Sequence, residues 1–254
     1  MRNIHPAVWT GLVLNGLLIL ALHTALTSLS PSELPEVDPT LFEALRYIFP
    51  LMLALLAGQA LAVGLIASRI RAGIVVAAVS SFLMLPAALI YLVGCLLSHY
   101  RILYSPFTVR AEYSRVRHTF PSMAASRLPY FAGAGMVASA LCFSAHQIDL
   151  GITLLGLSLT AAYLALRTKK YPALSIHDRY FVLTPGLFAG PLLIPYARVR
   201  KATLYDDESI RFEIETASGA AVLPWSLLRV ENPKRRVALE SLGNALSENG
   251  VPLY

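Results

Sequence analysis

Five long apolar runs dominate the first two thirds of the chain: residues 7–29, 48–68, 73–98, 129–145 and 148–166, the last with only Asp149 near its start. A helix needs about 20 mostly apolar residues to cross a hydrocarbon core ~30 Å thick. Backbone in lipid must also satisfy its own hydrogen bonds, which favours helices. The runs therefore predict five membrane helices, with the fourth at the short limit. Pro86 removes one helical hydrogen bond from the third run, predicting either a kinked span or a broken, re-entrant element. Asp38-Pro39 reads as a helix start, with Asp as N-cap and Pro in the first turn. The first run is read as a retained span, because it lacks a small-x-small cleavage site before Pro31.

Beyond Lys170 the period changes. Ile210, Phe212 and Ile214 alternate with Arg211, Glu213 and Glu215, the pattern of a half-buried strand. Residues 174–176, 180–184, 192–194, 199–205 and 220–223 read as further strands. Asn232 and Pro233 then open a helix whose apolar face is Ala238, Leu239, Leu242, Ala245 and Leu246, and Gly250 ends it. The predicted fold is thus a membrane α-helical bundle of about five transmembrane helices. A small antiparallel β-barrel or sandwich with a C-terminal helix follows. Its parts are a three-span region (1–98), a basic cytoplasmic connector (99–128), a helix hairpin (129–167) and a cytoplasmic β domain (168–254).

Charge sharpens this division. The 254-residue chain is only 14% charged, against about 25% in soluble domains. Residues 1–166 hold nine Lys/Arg and six Asp/Glu, whereas the much shorter remainder holds twelve and nine. A single soluble domain and a disordered chain are both excluded. Counted by loop, the bases favour a cytoplasmic C-terminal domain in a bacterial inner membrane. With five full spans the N-terminus is outside. A re-entrant third run instead puts the N-terminus inside and the acidic segment of Glu33, Glu36 and Asp38 outside. The net charge of +6 is explained by this bias without a nucleic-acid partner. Trp9, Tyr47, Phe49, Tyr100, Tyr104, Tyr130 and Tyr171 stand where headgroups are expected.

Candidate chemistry is sparse. Asn15, His23 and Gln59 are the polar side chains inside the spans, and Asn15 and His23, eight apart, are expected on one helix face. In the connector, Val109, Tyr113, Val116 and Phe120 suggest an amphipathic helix, flanked by Arg110, Arg115 and Arg117 as anionic-lipid contacts. Lys169 and Lys170 after the fifth run, and Arg198, Arg200 and Lys201 on one predicted strand, are further lipid contacts. Gly133-Ala134-Gly135-Met136-Val137-Ala138 fits a dinucleotide fingerprint in form only, since no strand precedes it. Its small residues suit close helix packing. The histidines and the two cysteines lack metal-ligand spacing. Neither an enzyme constellation nor a cofactor is expected.

The strand-then-helix order, with Ile194-Pro195-Tyr196 and Leu223-Pro224-Trp225, resembles the bacterial pleckstrin-homology-like domains of membrane proteins. The resemblance covers residues 129–254, including the closely spaced helix pair before the domain. The chain departs from that family at Asp178-Arg179, where an Asp-Gly turn is usual, and at Tyr196, where Trp is. The resemblance implies a binding or scaffolding module, with membrane lipids and a protein partner as its ligands. The other reading is a small transporter or channel subunit regulated by the β domain.

Overall fold

The computed structural model describes residues 4–28, 39–82, 84–85, 88–107, 114–217 and 219–254. The chain divides into two compact units, Met1–Ile102 and Leu103–Tyr254.

The first unit is helical: α1 (Pro6–Ser28), α2 (Pro39–Ala67), α3 (Ala72–Phe82) and α4 (Leu89–Leu103). Helix α2 begins at Pro39 as its sequence predicts; Asp38 lies outside the described residues. The third apolar run is not one continuous helix. It forms α3 and α4, of 11 and 15 residues, about 16 and 22 Å long and each short of a full crossing. Neighbours give their directions. Gly73 abuts Ile66 near the end of α2, and Ser80 lies against Gly58 and Gln59, so α3 runs antiparallel to α2. In α4, Tyr91 backs onto Gly11, Gly94 onto Val8, and Ser98 accepts from the His5 amide at 2.8 Å. Helix α4 therefore returns to the end at which α1 starts and α2 finishes.

The fold-back turns beside Ile19, which clusters with Met84 and Ala88, about 20 Å along α1 from Pro6 at 1.5 Å per residue. A kinked continuous span is thereby corrected to a helical hairpin. Pro86 itself lies outside the described residues. Hydropathy alone could not separate the two, because an apolar run is equally apolar going on or coming back.

The second unit combines a helix hairpin, α5 (Met123–Ser144) and α6 (Ile148–Lys170), with seven strands and α7 (Arg235–Glu248). Strands β1 (Val116–Phe120), β2 (Leu174–His177), β3 (Tyr180–Leu183) and β4 (Leu192–Pro195) form one antiparallel sheet in that order. Strands β5 (Val199–Leu204), β6 (Ser209–Thr216) and β7 (Gly219–Ser226) form the other. Both sheets and α7 contribute to one core, in which Phe181, Phe212, Tyr196, Ile210, Leu223 and Leu242 are almost wholly buried. Helix α7 follows a single 3-10 turn at Asn232–Lys234 and carries no side-chain cap; Asn232 lies in that turn and does not cap α7. It ends as expected at Gly250, whose φ of +70° suits glycine.

Two connector expectations are corrected. Residues 116–120 are a strand, pairing Phe120 with Leu174 and Thr119 with Ser175. The spacing of Val116 and Phe120 satisfies period 2 as well as period 3.6, and the free edge of β2 selects the strand. The remainder of the supposed stripe, Val109 and Tyr113, lies outside the described residues. Tyr104, with Phe107 in the turn Ser105–Phe107, packs on the β core, so its ring is not a headgroup anchor. The β domain thus starts before α5, and the α5–α6 hairpin is inserted between two paired strands.

The hairpin packs through small residues. A Cβ at Gly135 would collide with Ser158 Oγ, Gly151 lies under the Phe143 ring, and Ser139 Oγ donates to Gly151 O at 2.7 Å. Its outward residues are large and apolar: Tyr130, Phe131, Val137, Leu141, Leu159 and Leu166. The dinucleotide-like glycines therefore serve helix contact. Three helices, α1, α2 and α6, are long and apolar enough to cross a membrane.

Candidate functional site

A buried polar node lies inside the first unit. Asn15 and Gln59, both fully buried, meet across α1 and α2, where Asn15 Nδ2 donates to Gln59 Oε1 at 2.9 Å. Gln59 Nε2 donates in turn to Ser80 O at 3.4 Å and points at Met84 Sδ at 3.5 Å. Tyr91 Oη donates to the Gln59 carbonyl at 2.7 Å. These partners fix both amides. Gln59 must aim its NH2 at the Ser80 carbonyl, so its oxygen faces Asn15, and Asn15 must answer with its own NH2. Asn15 Oδ1 is left aimed elsewhere. It and Ser81 Oγ are buried with no hydrogen-bond partner among the described residues.

The structure brings together Asn15 and Gln59 and leaves out His23. His23 is exposed, stacked on Phe49 with ring centroids 4.5 Å apart. Two turns of helix accumulate enough angular drift to separate its surroundings from those of Asn15. Sequence reasoning missed Ser80, Ser81 and Tyr91. The adjacent Ser80-Ser81 in an apolar run was the available signal, whereas the Tyr91 contact depends on the fold-back.

The expected lipid contacts separate into ion-paired groups and groups outside the ion pairs found among the described residues. Arg117 bonds Asp178 and Glu248, and these two carboxylates, Asp178 first, hold its guanidinium more firmly protonated. Arg200 pairs with Glu215 at 2.7 Å, and Lys201 with Glu213 at 3.4 Å. Cross-strand register produces both pairs, since β5 lies beside β6. Arg198 sits in a 3-10 turn, not on the strand, and an irregularity between Val199 and Lys201 breaks the alternation expected through Arg200. Arg115, Arg198, Lys169 and Lys170 are exposed. Arg110 lies outside the described residues. Lys169 and Lys170, with Arg167, occupy the last turn of α6, where cations complement the helix dipole.

One serine–imidazole pair occurs in the β domain. Ser175 Oγ lies 3.1 Å from His177 Nε2, and 3.3 Å from Thr119 Oγ. Ser175 is buried where β1 crosses β2, so the group is a cross-strand network and not an accessible nucleophile. Tyr196 Oη donates to the His177 carbonyl at 3.1 Å, and burial pushes its phenol up to about 12. Among the described residues, no cluster of His, Cys, Asp or Glu has the form of a metal site. Cys95 and Cys142 are free thiols. No family model matches the chain, and neither the curated proteins nor the solved structures contain a match to it.

Proposed function

We propose that the chain is a multi-pass protein of the bacterial inner membrane that holds a cytoplasmic pleckstrin-homology-like domain at the bilayer surface, where the domain binds a protein partner or lipid headgroups. The observation that carries this reading is the insertion of α5–α6 between β1 and β2. Only Pro121 and Ser122 separate β1 from α5, and only residues 171–173 separate α6 from β2. An apolar hairpin tied so closely to a sheet by both ends is suited to anchoring. Seven antiparallel strands followed by one helix also agree with the family resemblance.

The fold-back supports a revised topology of four crossings, α1, α2, α5 and α6, with α3–α4 re-entrant. The N-terminus, Arg69, Arg71, Arg101, Arg127 and the bases ending α6 then share the cytoplasmic side. Glu33, Glu36 and Asp38 face the periplasm. This agrees with the positive-inside rule better than five crossings do. In intact cells, a cysteine at Glu36 should react with a membrane-impermeant maleimide, and one at Arg71 only after permeabilisation. The reverse pattern refutes the topology. For the binding role, a photoreactive residue at Tyr205, exposed on the domain, should give a discrete adduct with one protein or with lipid. Cells yielding neither adduct refute it.

The transporter reading has one observation in its favour, the unpartnered Asn15 Oδ1 and Ser81 Oγ in the membrane part. It requires Asn15→Leu or Gln59→Leu to abolish a solute flux in vesicles while folded protein persists.

A further inference from the structure

Residues 227–237 carry four bases, Arg229, Lys234, Arg235 and Arg236, against Glu231. They run from the 3-10 turn Leu227–Arg229 into the first turn of α7. Two contacts fix this segment to the foot of α5, and a third braces it internally. Val230 forms a β-bridge with Ser122, the residue that caps α5. Arg235 donates from Nε to Val230 O at 3.1 Å, and its Nη2 reaches Met123 Sδ at 3.9 Å. Arg235 also pairs with Glu208, so it ties the segment in place. Of the other bases, Arg229 is half-buried. Lys234 and Arg236 are exposed, Arg236 keeping 90% of its side-chain surface while bonded to Glu240. Flanking the bases in sequence stand two apolar side chains that the core does not cover, Leu228 at 48% and Val237 at 52% exposed.

The level of this segment follows from α5. Tyr130 and Phe131, 80% and 69% exposed, begin the helix's outward apolar surface about two turns above Met123. Residues beside Met123 therefore lie on the headgroup side of that surface, and Arg127 stands one turn nearer to it. Exposed apolar side chains among bases are costly in water but suit an anionic interface, where the stems enter the acyl boundary and the cations meet phosphates.

We infer that the 227–237 segment is a second membrane contact of the β domain, docking on anionic lipid headgroups through Arg229, Lys234 and Arg236, with Leu228 and Val237 in the interface. The inference rests on the reading of α5–α6 as a membrane hairpin. It gives the β domain a fixed face toward the bilayer, in place of a domain free to turn on its anchor.

The test uses the full chain with Cys95→Ala and Cys142→Ala, reconstituted in phosphatidylcholine nanodiscs with or without phosphatidylglycerol. A fluorophore is placed on single cysteines at Leu228, Val237 or Val222, and a nitroxide in the lipid headgroup region quenches it. We expect strong quenching at 228 and 237 that increases with phosphatidylglycerol, and little at 222 on β7. Arg229→Glu, Lys234→Glu and Arg236→Glu combined should abolish the excess. Quenching at 228 and 237 no greater than at 222, or unchanged by lipid charge and by the triple variant, overturns the inference. A label at Val137 with an acyl-chain nitroxide reports on the hairpin separately. If Val137 is quenched while 228 and 237 are not, this contact alone fails; if Val137 is unquenched, the hairpin reading fails with it. Unchanged emission of Trp225, buried in the β core, certifies that the triple variant is folded.

Discussion

The α5–α6 hairpin and the β domain it interrupts have opposite interiors. Between the helices lie Gly135, Ser139, Gly151 and Ser158, and the large apolar side chains face out. Inside the β domain lie Phe181, Phe212, Tyr196 and Leu242, and the charges of Arg200, Lys201, Glu213 and Glu215 are on its surface. The first unit repeats the hairpin's rule, with Gly11 and Gly94 at the contact of α1 with α4 and an amide pair, Asn15 and Gln59, at its centre. On the membrane reading proposed above, the difference is one of solvent. In water, removing apolar area contributes about 25 cal/mol per Å² and selects large side chains for the core. In lipid that driving force between helices vanishes, and close backbone approach and hydrogen bonds decide which face turns inward.

The contrast can be broken most severely at Gly94. A Cβ there would stand 2.5 Å from the Val8 backbone nitrogen, so Gly94→Leu must part α1 from α4. We expect loss of the folded first unit, seen as reduced accumulation in membranes and a changed Trp9 emission. The chain has two tryptophans, Trp9 in α1 and Trp225 in the β core, so each unit has its own reporter. Next in size is Phe212→Ala, which empties a fully buried site and should cost the β domain about 3–5 kcal/mol, read from Trp225 during denaturation in a Trp9→Phe background. Equal destabilisation of Phe131→Ala, outward on α5, would erase the distinction between the two interiors.

A third prediction concerns pH. The Tyr196 phenol ordinarily ionises near 10, and burial raises it to about 12 in the folded domain. A raised folded value means the stabilising contribution is complete below pH 10 and is lost as pH climbs towards 12. The Tm of the β domain should therefore fall over that window, and Tyr196→Phe should flatten the fall. A smaller effect is expected at Asn15→Leu, near the roughly 0.6 kcal/mol average for hydrogen bonds between membrane helices. A loss of several kcal/mol would mean the node behaves like a water-soluble core. Of similar size is Trp225→Phe, within about 1 kcal/mol, because the indole N–H is buried without a partner among the described residues and its removal offsets part of the lost packing.

How legible each region was follows from the same contrast. Strand β6 was readable because one face is wet and the other dry, so alternation marks it; β2 and β3, buried on nearly every residue, were readable only as short apolar runs. Strand β1 was not, since Val116 and Phe120 fit either period and its partner lies beyond the hairpin. The fold-back of α3–α4 was open for the reason that lipid-facing and buried residues look alike in sequence. At the site, Asn15 and Gln59 stood out as polar residues in apolar runs, but only the assembled helices exclude His23 and add Tyr91. The pairing of Arg117, Arg200 and Lys201 was hidden because cross-strand register is a tertiary property.

The inserted hairpin also orders events during synthesis. Thr119 and Ser175 are sheet neighbours 56 positions apart, so β1 leaves the ribosome well before the strand it pairs with. On the membrane hairpin proposed above, α5 and α6 must enter the bilayer and the chain must return from it before β2 is made. Only then can β2 meet β1 and the core close around Phe120. On that proposal a completed β domain is a record that both crossings were made, and a chain whose hairpin stalls keeps an unpaired strand and an open core within reach of proteases.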